Sequence, residues 1–93
     1  MKVILVYDIA TEEPKDQQRL NKVRKIVRRY ITHVQKSVFE GELTKSKLER
    51  MKAEILSVIE KDRDSVIFYV LGDNAKYERH LLTDVPDPTD NIL

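Results

Sequence analysis

The sequence predicts one α+β domain in which two helices cover one face of a mostly antiparallel sheet. The chain has 93 residues, which is the size of a single domain. Segments with the apolar, β-branched composition of strands alternate with two segments in which apolar residues recur at helical spacing. The order is strand, helix, strand or hairpin, helix, strand and a weaker last strand. This order is the ferredoxin-like arrangement βαββαβ with an additional C-terminal strand or tail.

The first strand and the first helix have the clearest patterns. Residues 2–9 (KVILVYDI) are almost continuously apolar, as in a central strand that is covered on both faces. Pro14 suits a helix start, and one apolar stripe recurs through residues 15–31, which predicts the first helix. Four basic residues fall away from this stripe and are expected on the solvent side: Arg19, Lys22, Lys25 and Arg29.

The middle of the chain leaves two structures open. Residues 33–43 (HVQKSVFEGEL) are strand-like and predict either one bent strand or a tight hairpin near Lys36 and Ser37. Gly41 is the candidate position of a β-bulge. The second helix follows, with either Thr44 or the Ser46–Glu49 pair as its N-terminal cap.

The last third of the chain predicts one strong strand and one weak strand. Residues 65–71 (SVIFYVL) are strongly apolar and end at turn residues, whereas residues 77–82 have a weaker strand pattern. We assign residues 1–83 to the folded domain. Residues 84–93 carry two prolines and three acids and form a C-terminal tail, which is loose or pairs with a partner.

The first predicted strand is apolar on both faces. Val3 and Leu5 lie on one side, and Ile4 and Val6 lie on the other. Two helices on the same side leave the second face uncovered, and a second copy of the chain is the simplest cover for it. We therefore expect a homodimer through the sheet face.

The composition excludes several classes of protein. The chain has no cysteine, which rules out disulfides and thiolate metal sites and fits a reducing compartment. The longest apolar run is too short to span a bilayer, so we expect neither a signal peptide nor a membrane helix. We expect a cytoplasmic protein with no membrane partner.

A net charge of +1 conceals a strong asymmetry along the chain. Between Lys15 and Lys36 there are eight basic residues and one acid, so this segment carries +7 while the remainder carries −6. A concentrated positive segment indicates a polyanionic partner better than the total charge does. The alternative is a solvated helix face with no partner.

Two motifs resemble a known family. The first is the apolar strand that ends in Tyr7-Asp8-Ile9, and the second is VQKSVFEGEL at 34–43, which is similar to a Gln-x-Ser-Val-Phe-Glu signature. With Arg19, Lys22 and Val23 between them, they resemble the CRISPR-associated endoribonuclease family, the smaller of the two CRISPR adaptation proteins. The family often has Ser or Pro and then Asp or Asn after the first motif, where this chain has Ala10-Thr11.

The resemblance implies a ferredoxin-like homodimer that works in CRISPR adaptation beside a larger integrase subunit. Members are described either as Mg²⁺-dependent nucleases on RNA or double-stranded DNA, or as non-catalytic, DNA-binding bridges between integrase copies. Accordingly, we expect a metal-dependent endonuclease that acts on phosphodiester bonds, with the scaffold as the alternative. An RNA-recognition module shares the strand and helix order, but SVIFYVLG lacks its aromatic and glycine pattern.

Asp8 is the candidate catalytic and metal-binding residue. It is the only acid within the apolar first strand, and one carboxylate alone is a poor Mg²⁺ site. A twofold interface would bring its copy close, and a divalent cation would relieve the repulsion between the two carboxylates. The alternative is a residue that only turns the chain after the strand.

The other candidate residues bind nucleic acid or support the site. The expected contacts to nucleic acid come from basic side chains and one hydroxyl: Arg19, Arg24, Arg28, Arg29 and Ser37. Tyr7 and Phe39 are expected to support the dimer or the site, with a place in the core as the alternative. His33 and His80 have no partner spacing that suggests a metal, and we treat them as surface residues.

Overall fold

The computed structural model of the protein describes residues 1–87, so the part of the predicted tail at 88–93 lies outside the described residues. The elements follow the predicted order. They are β1 (Lys2–Asp8), α1 (Pro14–Arg28), β2 (Thr32–Gln35), β3 (Val38–Glu42), α2 (Lys45–Leu56) and β4 (Ser65–Leu71).

The four strands form one antiparallel sheet in the order β2-β3-β1-β4. The most apolar strand, β1, lies in the interior of the sheet between β3 and β4, as its sequence predicts. With one helix after β1 and one after β3, the chain has the ferredoxin-like arrangement. The predicted α+β class is confirmed.

The predicted weak strand at 77–82 is wrong, because no strand follows β4 in the described residues up to 87. Residues 77–82 are held by side-chain contacts and not by strand pairing. The Arg79 guanidinium pairs with Glu40 at 3.3 Å, and the Tyr77 ring lies under the Lys2 ammonium, 5.9 Å from it. These two contacts hold the segment against the sheet without strand pairing.

Residues 32–42 form a hairpin and not one bent strand. Gln35 pairs with Val38 across the turn, and Lys36 adopts a positive φ of 40°. The irregular register lies in β2, between His33 and Gln35, and not at Gly41. Gly41 is needed for a different reason, because a Cβ there would lie 2.7 Å from Cγ2 of Ile31.

The two faces of β1 have different surroundings. Val3, Leu5 and Tyr7 are buried under the two helices, in a core that includes the apolar stripes of both. Ile4 and Val6 point to the other face, where they pair with Tyr69 and Ile67 of β4. We call this second side of the sheet the open face, and its Tyr69 and Ile67 side chains are 54% and 45% exposed.

Both helices begin at residues that satisfy their first backbone N–H groups. The Asp16 carboxylate accepts a hydrogen bond of 2.8 Å from the N–H of Glu13, the residue before α1. At α2 the cap is Thr44, whose hydroxyl accepts a bond from Lys47 N–H at 3.2 Å. Within residues 1–87, neither helix has the length and apolarity that crossing a bilayer requires.

Candidate active site

Asp8 lies at the end of β1, with an exposed carboxylate. It pairs across the sheet with Ser65, the first residue of β4. Because side chains alternate along a strand, Asp8 projects to the same side as Ile4 and Val6, which is the open face. The candidate carboxylate therefore lies at one end of the apolar surface that the sequence predicts to be a dimer contact.

A surface depression of about 340 Å³ joins Asp8 to residues from two other elements. Its lining includes Ser37 and Lys36 from the hairpin turn and Arg24 from α1. The backbone N–H of Tyr7 donates a bond of 3.2 Å to the Ser37 carbonyl, which fixes the turn beside the end of β1. The structure thus brings together an acid, a hydroxyl and two cations, a set that suits a phosphodiester.

Lys36 belongs to this depression, although the sequence analysis did not select it. Its place beside Ser37 in a turn, within the signature segment, was the signal that could have found it. His33 helps to hold this turn, because its Nε2 atom lies 2.5 Å from the carbonyl oxygen of Lys36. The expectation that His33 is only a surface residue is therefore wrong, since its ring also packs 4.7 Å from the Phe39 ring.

Tyr7 and Phe39 support the site from beneath and do not face the open side of the sheet. Their ring centroids lie 5.8 Å apart in a stacked arrangement, and Phe39 is completely buried. Both lie in the core on the side that the helices cover, which is the alternative that the sequence analysis gave for them. The Tyr7 hydroxyl is buried and has no hydrogen-bond partner among residues 1–87.

Arg19 is not on the solvent side of α1, and this prediction is wrong. Its side chain is only 7% exposed, and its Nε atom donates to Asp64 at 2.7 Å. Further donors reach Asp16 at 2.7 Å and Glu60 at 3.1 Å. The guanidinium is therefore committed to carboxylates within the protein and is unavailable for a phosphate.

Arg19 and these three carboxylates form an ion cluster with Arg63. Its inner members, Arg19, Asp16 and Asp64, are buried, whereas Glu60 and Arg63 are partly exposed. Arg63 binds Asp16 at 2.6 Å and Glu60 at 3.0 Å. Hydrogen bonds from Arg63 hold the pKa of Asp16 well below its usual range, against the opposing effect of burial. The hydrogen bonds that Arg19 donates to Asp64 and Asp16 raise its pKa above that of a free guanidinium.

The other predicted arginines are accessible. Arg28 is exposed on α1, and Arg24 is half-buried in the depression beside Asp8. Neither forms an ion pair with any residue in the described part of the chain. Arg29 is exposed but binds Glu54 at 2.9 Å, which ties the end of α1 to α2.

The donor set around Asp8 fits Mg²⁺ only in part. No group of three or more potential ligands (His, Cys, Asp or Glu) lies together in residues 1–87. Mg²⁺ binds through one or two carboxylates, keeps several waters and accepts oxygens from a substrate phosphate. One exposed Asp8 carboxylate supplies one such ligand per chain, so the fit is that of a half-site which a second protomer or a substrate completes.

Comparison with known proteins places the chain in a family. The family model for CRISPR associated protein Cas2 matches residues 1–79. The chain belongs to this family. The family resemblance inferred from the two sequence motifs is confirmed.

Curated relatives match over the whole length. A protein of Moorella thermoacetica named CRISPR-associated endoribonuclease Cas2 2 is 48% identical over 91 residues, which cover 98% of this chain and 100% of the relative. A CRISPR-associated endoribonuclease Cas2 of Methanocaldococcus jannaschii is 41% identical over 93 residues, covering 100% and 76%. The crystal structure of Streptococcus pyogenes Cas2 at pH 6.5 matches with a TM-score of 0.71 and 38% identity, over 80% of this chain and 89% of that chain.

Proposed function

We propose that the protein is a CRISPR adaptation protein that cleaves phosphodiester bonds of RNA or double-stranded DNA as a Mg²⁺-dependent endonuclease. The observation that carries this proposal is the exposed Asp8 carboxylate in one depression with Arg24, Lys36 and Ser37. The names of the relatives, which are endoribonucleases, support the reaction class.

Each residue of the depression has a role that follows from its chemistry. Arg24 and Lys36 attract the phosphate and stabilise the negative charge that grows on it during attack. The Ser37 hydroxyl donates a hydrogen bond to a phosphate oxygen. Asp8 binds the cation and orients the attacking water; when bound, Mg²⁺ supplies a Lewis acid that polarises the phosphoryl group.

The active form in this proposal is a homodimer through the open face. Ile67 and Tyr69 leave apolar surface uncovered there, and a second copy is the simplest cover. The segment after β4 contacts Lys2 and Glu40 on this face, and Asp8 lies at the other end of β1 from Lys2. A twofold axis near that end brings Asp8 close to Asp8 of the partner subunit, so that the two half-sites form one metal site.

The exposed basic residues of α1 extend the interface with nucleic acid beyond the depression. Arg28 and its neighbours Lys22 and Lys25 are exposed on this helix. Contacts of this kind bind the phosphate backbone without sequence preference and weaken as salt increases. We place the protein in the cytoplasm, where its nucleic-acid substrates and a larger integrase subunit are present.

The test is cleavage of labelled single-stranded RNA and labelled double-stranded DNA, with Mg²⁺ or EDTA, by the wild type and by Asp8→Asn. We expect cleavage that requires Mg²⁺ and is lost in the variant, while duplex binding changes by less than about twofold. The substrate that is cut then decides between RNA and DNA. Equal cleavage by both proteins would contradict the proposal and indicate a contaminating nuclease.

A DNA-binding scaffold that bridges integrase subunits is the second candidate. It is favoured by a specific observation, namely that the lining of the depression contains no histidine or second acid to act as a general base. In that case neither protein cleaves, Asp8→Asn binds duplex DNA normally, and neutralising Arg24, Arg28 and Arg29 abolishes binding.

A further inference from the structure

We propose that the buried pair of Arg19 and Asp64 positions Asp8 by clamping the backbone of Ala10. This assignment rests on the proposed function, since it concerns how the catalytic carboxylate is held in place. Arg19 and Asp64 are positioning residues in this proposal, because neither lies in the lining of the Asp8 depression.

The clamp holds both polar groups of one peptide residue. The Ala10 N–H donates to Oδ1 of Asp64 at 3.0 Å, and the Ala10 carbonyl accepts from Nη2 of Arg19 at 3.4 Å. The two side chains are themselves joined by a two-point contact, from Nε to Oδ2 at 2.7 Å and from Nη2 to Oδ1 at 3.0 Å. Ala10 is thereby fixed two residues after Asp8, at the start of the connection to α1.

The same part of the chain also fixes Asp8 from the side. Ser65, which follows Asp64 directly, is the cross-strand partner of Asp8. Asp64 also accepts the N–H of Glu60 at 2.8 Å, which holds the connection from α2 to β4. Two adjacent residues therefore hold the chain around Asp8: Ser65 pairs with Asp8 across the sheet, and Asp64 binds Ala10 two residues after it.

Burial makes the clamp rigid. The Asp64 side chain is completely buried, and that of Arg19 is nearly so. Burial raises the pKa of Asp64, but the hydrogen bonds from Arg19 and from the Glu60 and Ala10 amides together lower it by more, so the net shift is downward. A buried ion pair adds little to stability compared with apolar residues of the same size, so its hydrogen bonds to Ala10 indicate a positional role.

The test compares Asp64→Asn with Arg63→Gln. Asp64 accepts four hydrogen bonds, and asparagine has one acceptor oxygen, so the variant cannot hold Ala10, Glu60 and both Arg19 donors together. Arg63 belongs to the same ion cluster but does not contact Ala10 or Asp64. It is therefore a matched control for damage to the cluster alone.

We expect Asp64→Asn to lower kcat for cleavage about tenfold or more while KM changes less than about twofold, since a misplaced catalytic group affects the chemical step. Arg63→Gln should keep kcat within about twofold of the wild type at temperatures where both variants are folded. Equal losses of kcat in the two variants, or a change confined to KM, would overturn the proposal. If Asp64→Asn does not fold, Arg19→Lys replaces it in the test, because lysine keeps the charge but loses the two-point contact with Asp64. This variant should likewise lower kcat while KM stays nearly unchanged.

A second readout does not depend on cleavage. The amide hydrogen of Ala10 should exchange faster in Asp64→Asn, relative to the amide of Leu5 in the same strand, and should be unchanged in Arg63→Gln. A wild-type protein without nuclease activity would refute the proposed function alone, and the exchange experiment would still decide the positioning role. Unchanged exchange at Ala10 in Asp64→Asn would refute the clamp itself.

Discussion

Tyr69→Asp should separate the dimer if the open face is the contact between protomers. Tyr69 is 54% exposed, and it pairs with Ile4 near the middle of that face. A tyrosine presents roughly 200 Å² in total, so about 110 Å² is left to be covered by a partner. At ~25 cal/mol per Å², covering it contributes about 2.5–3 kcal/mol per protomer, or about 5 kcal/mol for the two equivalent copies.

This free energy corresponds to nearly four powers of ten in the dimer Kd. Part of it is offset by the cost of ordering side chains, so we expect an increase in Kd of at least about a hundredfold. Sedimentation equilibrium over a wide concentration range measures it. Leu56→Asp is the matched control, since Leu56 is 52% exposed but lies on α2, away from the open face.

The result that would refute this reasoning has two forms. A wild-type protein that remains monomeric at ~100 μM would contradict a specific dimer through this face. Equal increases in Kd for Tyr69→Asp and Leu56→Asp would mean that the contact lies elsewhere. In either case Asp8 would have to complete its metal site without the partner subunit.

Three further predictions concern the hairpin, the core and the ion cluster. Lys36→Gly should raise the free energy of unfolding by about 1 kcal/mol, because a φ of 40° is strained for lysine, and a lower stability in urea unfolding would contradict this. The same variant should weaken substrate binding in a titration, because it removes a cation from the depression. Gly41→Ala should cost about 1–3 kcal/mol in urea unfolding through its contact with Ile31, and an unchanged midpoint would contradict this. The pKa of Asp64 is lowered from 3.8, so its contribution to stability is complete above about pH 4 and is lost as the pH falls below that value. Asp64→Asn should therefore flatten the decline of Tm below about pH 4, and a curve parallel to that of the wild type would contradict the assignment.

The sequence predicted the fold well because the strongest patterns are local. The apolar run of β1 and the two helical stripes determine which faces are buried, and the structure confirms both. The hairpin could not be decided in advance, since Lys36-Ser37 contains no glycine and its positive φ is imposed by the pairing of β2 with β3. The prediction of a weak strand at 77–82 failed because this segment is held by side-chain contacts to Lys2 and Glu40 and not by backbone pairing with a neighbouring strand.

The site was predicted less completely for a similar reason. The helical pattern assigns Arg19 to the polar, solvent-facing side of α1. In the structure it binds the buried carboxylate of Asp64, which is 45 residues away in the sequence. No local pattern contains that contact. Asp8 was selected because an acid is unusual within an apolar strand, whereas Lys36 joins the site only through the geometry of the turn.

The most direct test of a shared Asp8 site uses a heterodimer with one wild-type subunit and one Asp8→Asn subunit, isolated through two different affinity tags. The tags belong at the C-terminus, because the Met1 ammonium binds Asp73 at 3.0 Å and the Leu43 carbonyl at 3.1 Å. If both carboxylates hold one Mg²⁺, the heterodimer should cleave at no more than about a tenth of the wild-type rate at limiting Mg²⁺. Half of the wild-type rate would show that each protomer works alone and would contradict the account.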